Sequence, residues 1–121
     1  MIDAHSIFAY MQQHEQEFSQ LRQEFHRLPE VGLDLPETAQ RIAATLKSYE
    51  VDEIHTNIGG SGIVAVVNGQ VPSEKWIGIR ADMDALPLQE EAQHNHISTV
   101  PNCTHACGHD GHMAIGLAAC K

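Results

Sequence analysis

The chain has few basic residues and no long hydrophobic run. It contains seven lysine and arginine residues and sixteen acidic ones, which gives a formal charge of −9. Because this charge repels phosphate backbones and anionic lipids, it disfavours binding to nucleic acids or membrane surfaces. No run approaches the roughly 18 apolar residues of a membrane-spanning helix, and residues 1–7 lack the basic and apolar regions of an export signal. We therefore expect a soluble, cytoplasmic protein with no nucleic-acid or membrane partner.

Cysteine is also scarce. The three cysteines, Cys103, Cys107 and Cys120, all lie in the last fifth of the chain. An odd number crowded into one region is unlike the disulfide framework of a small secreted domain. Reduced thiols in a cytoplasmic protein fit this distribution better.

Apolar side chains in the first half of the chain recur at three- and four-residue steps, which is typical of amphipathic helices. The first series predicts one helix over residues 7–28, which ends there because the residue before Pro29 avoids helical geometry. The second series predicts a helix over residues 36–49, with Pro36 in its first turn and Glu37 complementing the helix dipole. Both apolar stripes are expected to face the core.

The middle of the chain changes to short apolar runs separated by turn residues, a pattern that predicts strands. The runs lie at residues 54–56, 63–67 and 76–79, and the second is apolar throughout, as in a strand covered on both faces. The glycine-rich segment 59–62 is expected to be a turn, because a phosphate-binding loop would need a helix after it. Residues 111–121 predict a last helix. Together these elements predict an α/β fold in which helices flank a mixed sheet.

Metal-binding side chains are densest in residues 102–112, with the sequence NCTHACGHDGH. Thiolates and neutral imidazoles are favoured ligands of zinc and its neighbours. Gly108, between Cys107 and His109, lets the backbone bend so that both side chains can face one ion. The segment therefore predicts a metal site.

A second polar group directly follows the strand predicted at residues 76–79. Asp82 and Asp84 share one side of an extended chain, and Arg80 lies on the same side. Ligands collect at the carboxyl ends of strands in α/β sheets, so this position favours a functional role. Without the metal-binding segment downstream, the pair fits a solvated turn equally well.

Two other polar stretches are interpreted without a functional role. Glu90 and Glu91 follow Pro87 and predict a loop or the start of a helix. The histidine-rich tripeptide at residues 94–96 predicts an exposed loop.

The combined motifs make the chain recognisable. The segment RADMDALPLQE (residues 80–90), followed by HACGHDGH (residues 105–112), resembles the amidohydrolase branch of the aminoacylase and carboxypeptidase-type metallopeptidases. That branch includes hippurate hydrolases and indole-acetyl-amino-acid hydrolases. FHRLPEVG (residues 25–32) resembles the amino-terminal signature of the family. The resemblance covers essentially all 121 residues.

The resemblance implies roles for individual residues. Cys107 and His109 correspond to two protein ligands of a dinuclear metal centre, in which the cysteine sulfur can bridge both ions. Asp84 corresponds to a carboxylate that hydrogen-bonds behind a metal ligand and fixes its orientation. Asp82 stands where many relatives outside this branch have a ligand histidine. His112 matches the motif but is not implied to be a ligand.

The implied reaction is hydrolysis of the amide bond of an N-acyl amino acid, such as hippurate. Two divalent ions (Mn, Zn, Co or Ni) would activate a water, and a glutamate would act as the general base. In the family that glutamate lies past the position of Lys121, as does the lid domain used for dimerisation. Residues 1–121 are therefore expected to be the amino-terminal portion of one catalytic domain, inactive alone, from a protein that forms homo-oligomers. The uncapped last helix also suggests a portion of a longer protein.

An alternative is a self-sufficient structural zinc module. Cys103, Cys107, His109 and His112 could surround one ion, since a Cys-x3-Cys spacing is within the range of zinc-finger ligands. That interpretation leaves residues 80–87 without a purpose. Replacement of Cys103 by serine distinguishes the two, because only the module would lose its metal.

Overall fold

The computed structural model describes residues 3–121 as an α/β fold, as the sequence predicts. The helices are α1 (Ala4–Gln13), α2 (Glu15–Arg27), α3 (Pro36–Ser48) and α4 (His109–Cys120), and the strands are β1 (Glu53–Ile58) and β2 (Gly62–Val66). Among these residues, no helix combines the length and apolar character needed to cross a bilayer.

The first predicted helix is two helices in the structure. α1 begins with a capping box, in which Asp3 accepts the backbone N–H of Ser6 (2.8 Å) and the Ser6 hydroxyl accepts that of Asp3 (3.1 Å). His14 then leaves helical geometry, with φ −103° and ψ 6°, and separates α1 from α2. The prediction of one continuous helix over residues 7–28 is therefore wrong at this residue. One non-helical residue barely disturbs the apolar periodicity, so the pattern does not reveal it.

The start of α3 is stabilised by a side chain from the preceding connection. Pro36 occupies the first turn as predicted, and the residue before it, Leu35, has no side-chain group that could cap the helix. The Glu30 carboxylate does so instead, accepting the N–H of Glu37 (3.1 Å) and the N–H of Thr38 (2.7 Å). These two bonds satisfy donors that a helix start otherwise leaves free.

Strands β1 and β2 form an antiparallel hairpin with Glu53 opposite Val66. The glycine-rich segment forms the turn between them, as predicted. A Cβ at Gly62 would lie 2.3 Å from the carbonyl oxygen of Ile58, so only glycine fits there. Val64 is about half exposed, so β2 is not covered on both faces as expected.

The strand predicted at residues 76–79 is not formed. A strand needs a hydrogen-bonded neighbour, and within residues 3–121 this segment pairs with none. Its apolar side chains are accordingly exposed, with Ile77 91% accessible. The described sheet is thus a two-stranded hairpin and not a mixed sheet.

The core lies between helices α2, α3 and α4. Its buried side chains are Phe25, Ile42, Leu46, Met113 and Leu117. Small residues let α4 approach residues 80–84, here called the acidic segment, because a Cβ at Gly116 would lie 3.2 Å from the Cβ of Ala81. The core therefore fixes the position of α4 beside residues 80–84.

One ion pair connects the end of α4 to α2 and should make stability depend on pH. Lys121 Nζ donates to Glu17 Oε1 (2.7 Å), and the Tyr49 hydroxyl donates to the same oxygen (2.8 Å). The bond from Lys121 is the main cause that lowers the pKa of Glu17 from 4.5 to about 2, against the opposing effect of burial. Because the folded pKa is depressed, the stabilisation is complete above about pH 4.5 and is lost as pH falls through about 2.

We therefore predict that Glu17→Gln lowers the urea midpoint at pH 6 and that the deficit shrinks as the pH approaches 2. Urea unfolding followed by circular dichroism across this pH range measures it. Glu91→Gln, at an exposed position, is the matched control and should leave the midpoint unchanged. A deficit of equal size at every pH would show that the ion pair is not its source.

Candidate metal centre

The acidic segment is anchored by backbone hydrogen bonds to two other parts of the chain. The N–H of Ala85 donates to the carbonyl of Glu30 (2.8 Å). Leu86 and Thr104 exchange a pair of bonds, at 2.9 and 3.0 Å. These contacts place Asp84, immediately before Ala85, beside the loop that leads into α4.

The first turn of α4 presents two histidines on one side of the helix. Gly108 precedes the helix with φ +77°, a left-handed conformation that glycine adopts without strain. His109 and His112 are three residues apart, so their side chains lie on the same face. The two rings stack with their centroids 5.1 Å apart.

Asp84 fixes the orientation of the His109 ring. His109 Nδ1 lies 2.9 Å from the carbonyl oxygen of Asp84 and 3.0 Å from its carboxylate Oδ1. Both oxygens are acceptors, so Nδ1 is the donor. In the neutral ring this leaves the lone pair on Nε2, which is the nitrogen that can bind a metal. The contact is the one expected of a carboxylate behind a metal ligand, and that role of Asp84 remains a prediction.

Asp82 completes a group with the two histidines. One ligand atom from each of Asp82, His109 and His112 lies within 4.8 Å of the others. Asp82 Oδ2 is 3.8 Å from His109 Nε2 and 3.6 Å from His112 Nδ1, too far for direct hydrogen bonds. The other oxygen of Asp82 accepts a bond from Arg80 (2.6 Å). Two imidazoles and a carboxylate are a donor set suited to zinc, manganese, cobalt or nickel.

The cysteines do not join this group in the described residues. Cys107 is exposed just before α4. Its sulfur is not among the ligand atoms of this group, which lie within 4.8 Å of one another. Cys103 is buried, its thiol donates to the carbonyl of Pro29 (3.4 Å), and burial raises its pKa. The structure thus does not assemble Cys103 with Cys107, His109 and His112, as the zinc-module alternative requires. The predicted ligand His109 is instead grouped with Asp82 and His112.

Comparison with known proteins agrees with the motifs. Residues 78–121 match peptidase family M20/M25/M40. The chain is 45% identical over 105 residues to the hippurate hydrolase of Campylobacter jejuni, covering 87% of this chain and 27% of that protein. It is 36% identical to the N-acetyldiaminopimelate deacetylase of Enterococcus faecalis, covering 88% of this chain and 28% of that protein.

The chain is related to peptidase family M20/M25/M40. Its fold agrees with solved members. The YXEP protein of Bacillus subtilis, described as a dinuclear metal binding peptidase from the M20 family, superimposes with a TM-score of 0.78 at 33% identity, over 85% of this chain and 29% of that one. The chain spans about a quarter of the length of the curated relatives that it matches.

A second polar cluster of the chain escaped the sequence analysis. Glu90, interpreted there as part of a loop or helix start, has a side chain only 9% exposed and lies between His26 and His94. Burial raises the pKa of Glu90, but hydrogen bonds from Ser98 N–H and His26 outweigh it and lower the pKa to about 2. One signal was available: His26 lies next to Phe25 on the buried face of α2, where a polar side chain needs a partner.

Proposed function

We propose that this chain forms the metal-binding part of an amidohydrolase that cleaves the amide bond of N-acyl amino acids such as hippurate. The observation that carries the proposal is the pairing of Asp84 with His109 Nδ1, which leaves His109 Nε2 beside Asp82 and His112. Similarity to a hippurate hydrolase and to a deacetylase of N-acetyldiaminopimelate supports an N-acyl substrate.

In this proposal His109 and Cys107 are ligands of a dinuclear centre that takes Mn, Zn, Co or Ni. Asp82, His109 and His112, here called the α4 group, supply imidazole and carboxylate donors that fit such ions. When bound, the ions would supply polarisation of the scissile carbonyl and activation of a water. The thiol of Cys107 is exposed, and Gly108 joins Cys107 directly to α4. The dinuclear description of the M20 relative from Bacillus subtilis supports this assignment.

The residues of the chain itself would hold the ions and orient the side chains that bind them. Asp84 keeps the proton of His109 on Nδ1 and so leaves Nε2 to bind an ion. Asp82 adds negative charge that favours a cation, while Arg80 restrains its carboxylate. The side chain of His112 is about half exposed, so it can contact substrate as readily as metal.

We also propose that residues 1–121 show no turnover alone, as the amino-terminal portion of one catalytic domain. Hydrolysis needs a base to take the proton of water. Glu90 is engaged by His26 and Ser98, so the described residues offer no such glutamate beside His109. The remaining parts of the proposal are a cytoplasmic location, a small N-acyl amino acid as the only ligand class besides metal, and homo-oligomers of the whole protein.

The test measures release of glycine from hippurate, with added Mn²⁺, by the natural protein that carries these residues. Asp84→Asn should lower kcat about 10- to 100-fold, as expected for loss of a partner behind a metal ligand. Glu91→Gln, at an exposed position in the same connection, is the matched control. Turnover that survives both Asp84→Asn and a chelator would contradict the proposal, and so would turnover by residues 1–121 alone.

A further inference from the structure

A second group of potential metal ligands lies between α2 and the connection before α4. One ligand atom each from His26, Glu90 and His94 lies within 4.8 Å of the others. Glu90 Oε1 is 2.8 Å from His26 Nε2 and 3.0 Å from His94 Nε2. None of these three residues belongs to the α4 group described above.

We propose that His26 Nε2, Glu90 Oε1 and His94 Nε2 bind a divalent transition-metal ion such as Zn²⁺ or Co²⁺. Two imidazoles and one carboxylate form a ligand set that binds zinc in proteins and leaves a fourth position for water. The proposal is independent of the amidohydrolase activity, because it concerns different residues and requires no turnover.

The surroundings of His26 match those of a metal-binding histidine. Its other nitrogen, Nδ1, lies 2.8 Å from Oδ2 of Asp110, which is fully buried. Nε of Arg22 lies 2.8 Å from the same Asp110 oxygen and forms an ion pair with it, which helps to hold the carboxylate in place. A carboxylate on the far nitrogen of a histidine fixes the ring and strengthens it as a ligand. Asp84 and His109 show the same arrangement in the α4 group.

The carboxylate of Glu90 is likewise prepared for one ion. Its Oε2 accepts the backbone N–H of Ser98 (2.6 Å), which leaves Oε1 to face the two imidazoles. Without an ion, Oε1 is hydrogen-bonded to His26 and lies 3.0 Å from Nε2 of His94, so three polar groups already converge on one small region. A cation placed there would replace these contacts by direct bonds and leave no buried ligand atom unpaired.

An ion can reach the group from the side of His94. The side chain of His94 is one-third exposed, whereas those of His26 and Glu90 are nearly buried. His96 stacks on His94 with the ring centroids 3.8 Å apart, but its Nε2 accepts a bond from Arg22 (3.0 Å). We therefore assign His96 to support the loop, not to bind the ion. Binding at Nε2 places the proton of His94 on Nδ1, which gives up the long contact from the His96 N–H (3.3 Å).

The experiment is a Co²⁺ titration of the chain in a His109→Ala background, which removes the ligand of the α4 group. Equilibrium dialysis with elemental analysis gives the stoichiometry and affinity, and visible absorption reports the ligands. We expect one ion per chain. Adding His94→Asn should weaken binding at least about tenfold, since loss of even an outer partner has that effect. His55→Asn, at an exposed histidine on β1, is the matched control and should change nothing.

Glu90→Gln provides a second variant, because glutamine can still accept the bond from Ser98 and should preserve the fold. Circular dichroism of each variant checks this. The proposal is overturned if the His109→Ala chain takes up no ion, in which case His26 is only an internal partner of two carboxylates. It is also overturned if both His94→Asn and Glu90→Gln bind Co²⁺ as tightly as their parent.

Discussion

Replacement of His109 by alanine is expected to weaken divalent-metal binding at the α4 group by more than about 100-fold. His109 Nε2 is the nitrogen left free by the bond between Nδ1 and Asp84, and it lies on the same side as Asp82 and His112. Loss of a group behind a ligand already costs about 10- to 100-fold in affinity, so loss of the ligand itself should exceed that range. Calorimetric titration with Zn²⁺ in a His94→Asn background isolates this group from the one at His26.

Two further variants make the result specific. Asp84→Asn should give an intermediate loss of about 10- to 100-fold, because it leaves Nε2 in place but removes the negative charge beside Nδ1. His55→Ala, at an exposed position on β1, should have no effect. If the His109→Ala chain bound Zn²⁺ like its parent, the ion would have other ligands and the assignment would fail.

Replacement of Phe25 by alanine is expected to destabilise the fold by about 3–5 kcal/mol. Phe25 is 2% exposed and packs with the apolar side chains of α3 and α4. Truncation of a buried aromatic ring removes its burial and leaves a cavity that the neighbours fill only in part. Since small domains have about 5–15 kcal/mol of total stability, the variant should be near the limit of folding.

Urea unfolding followed by circular dichroism measures this loss. Phe8→Ala is the matched control, because Phe8 on α1 is 61% exposed and its truncation should change stability by no more than about 0.5 kcal/mol. Equal midpoints for the two variants would show that the core does not lie between α2, α3 and α4.

Local pattern accounts for most of the predicted fold. The apolar periodicity of α3, the largely apolar sequence of α4 and the glycine-rich turn of the hairpin are short-range features, and the structure agrees with them. The strand at residues 76–79 failed because strand formation depends on a neighbour, which local sequence does not specify. The break at His14 was not predicted, because a single non-helical residue is too short to alter a periodic pattern.

The candidate sites also differ in whether local sequence or long-range packing determines them. The resemblance implied that Asp84 lies behind a metal ligand without indicating which one, and the structure brings Asp84 within hydrogen-bond distance of His109. The group at His26 could not be predicted, since Glu90 and Asp110 are 64 and 84 residues from His26 in sequence. Only the packing of α2 against α4 and the path of the connection bring these side chains together.

The most direct test of the metal centre is nitrogen NMR of the His109 ring during titration with Zn²⁺. The pairing with Asp84 predicts that Nε2 shifts as the ion binds, while Nδ1 stays protonated and bonded to the Asp84 carboxylate. A shift of Nδ1 instead, or no response from either nitrogen at saturating Zn²⁺, would contradict the assignment of His109 as a metal ligand held by Asp84.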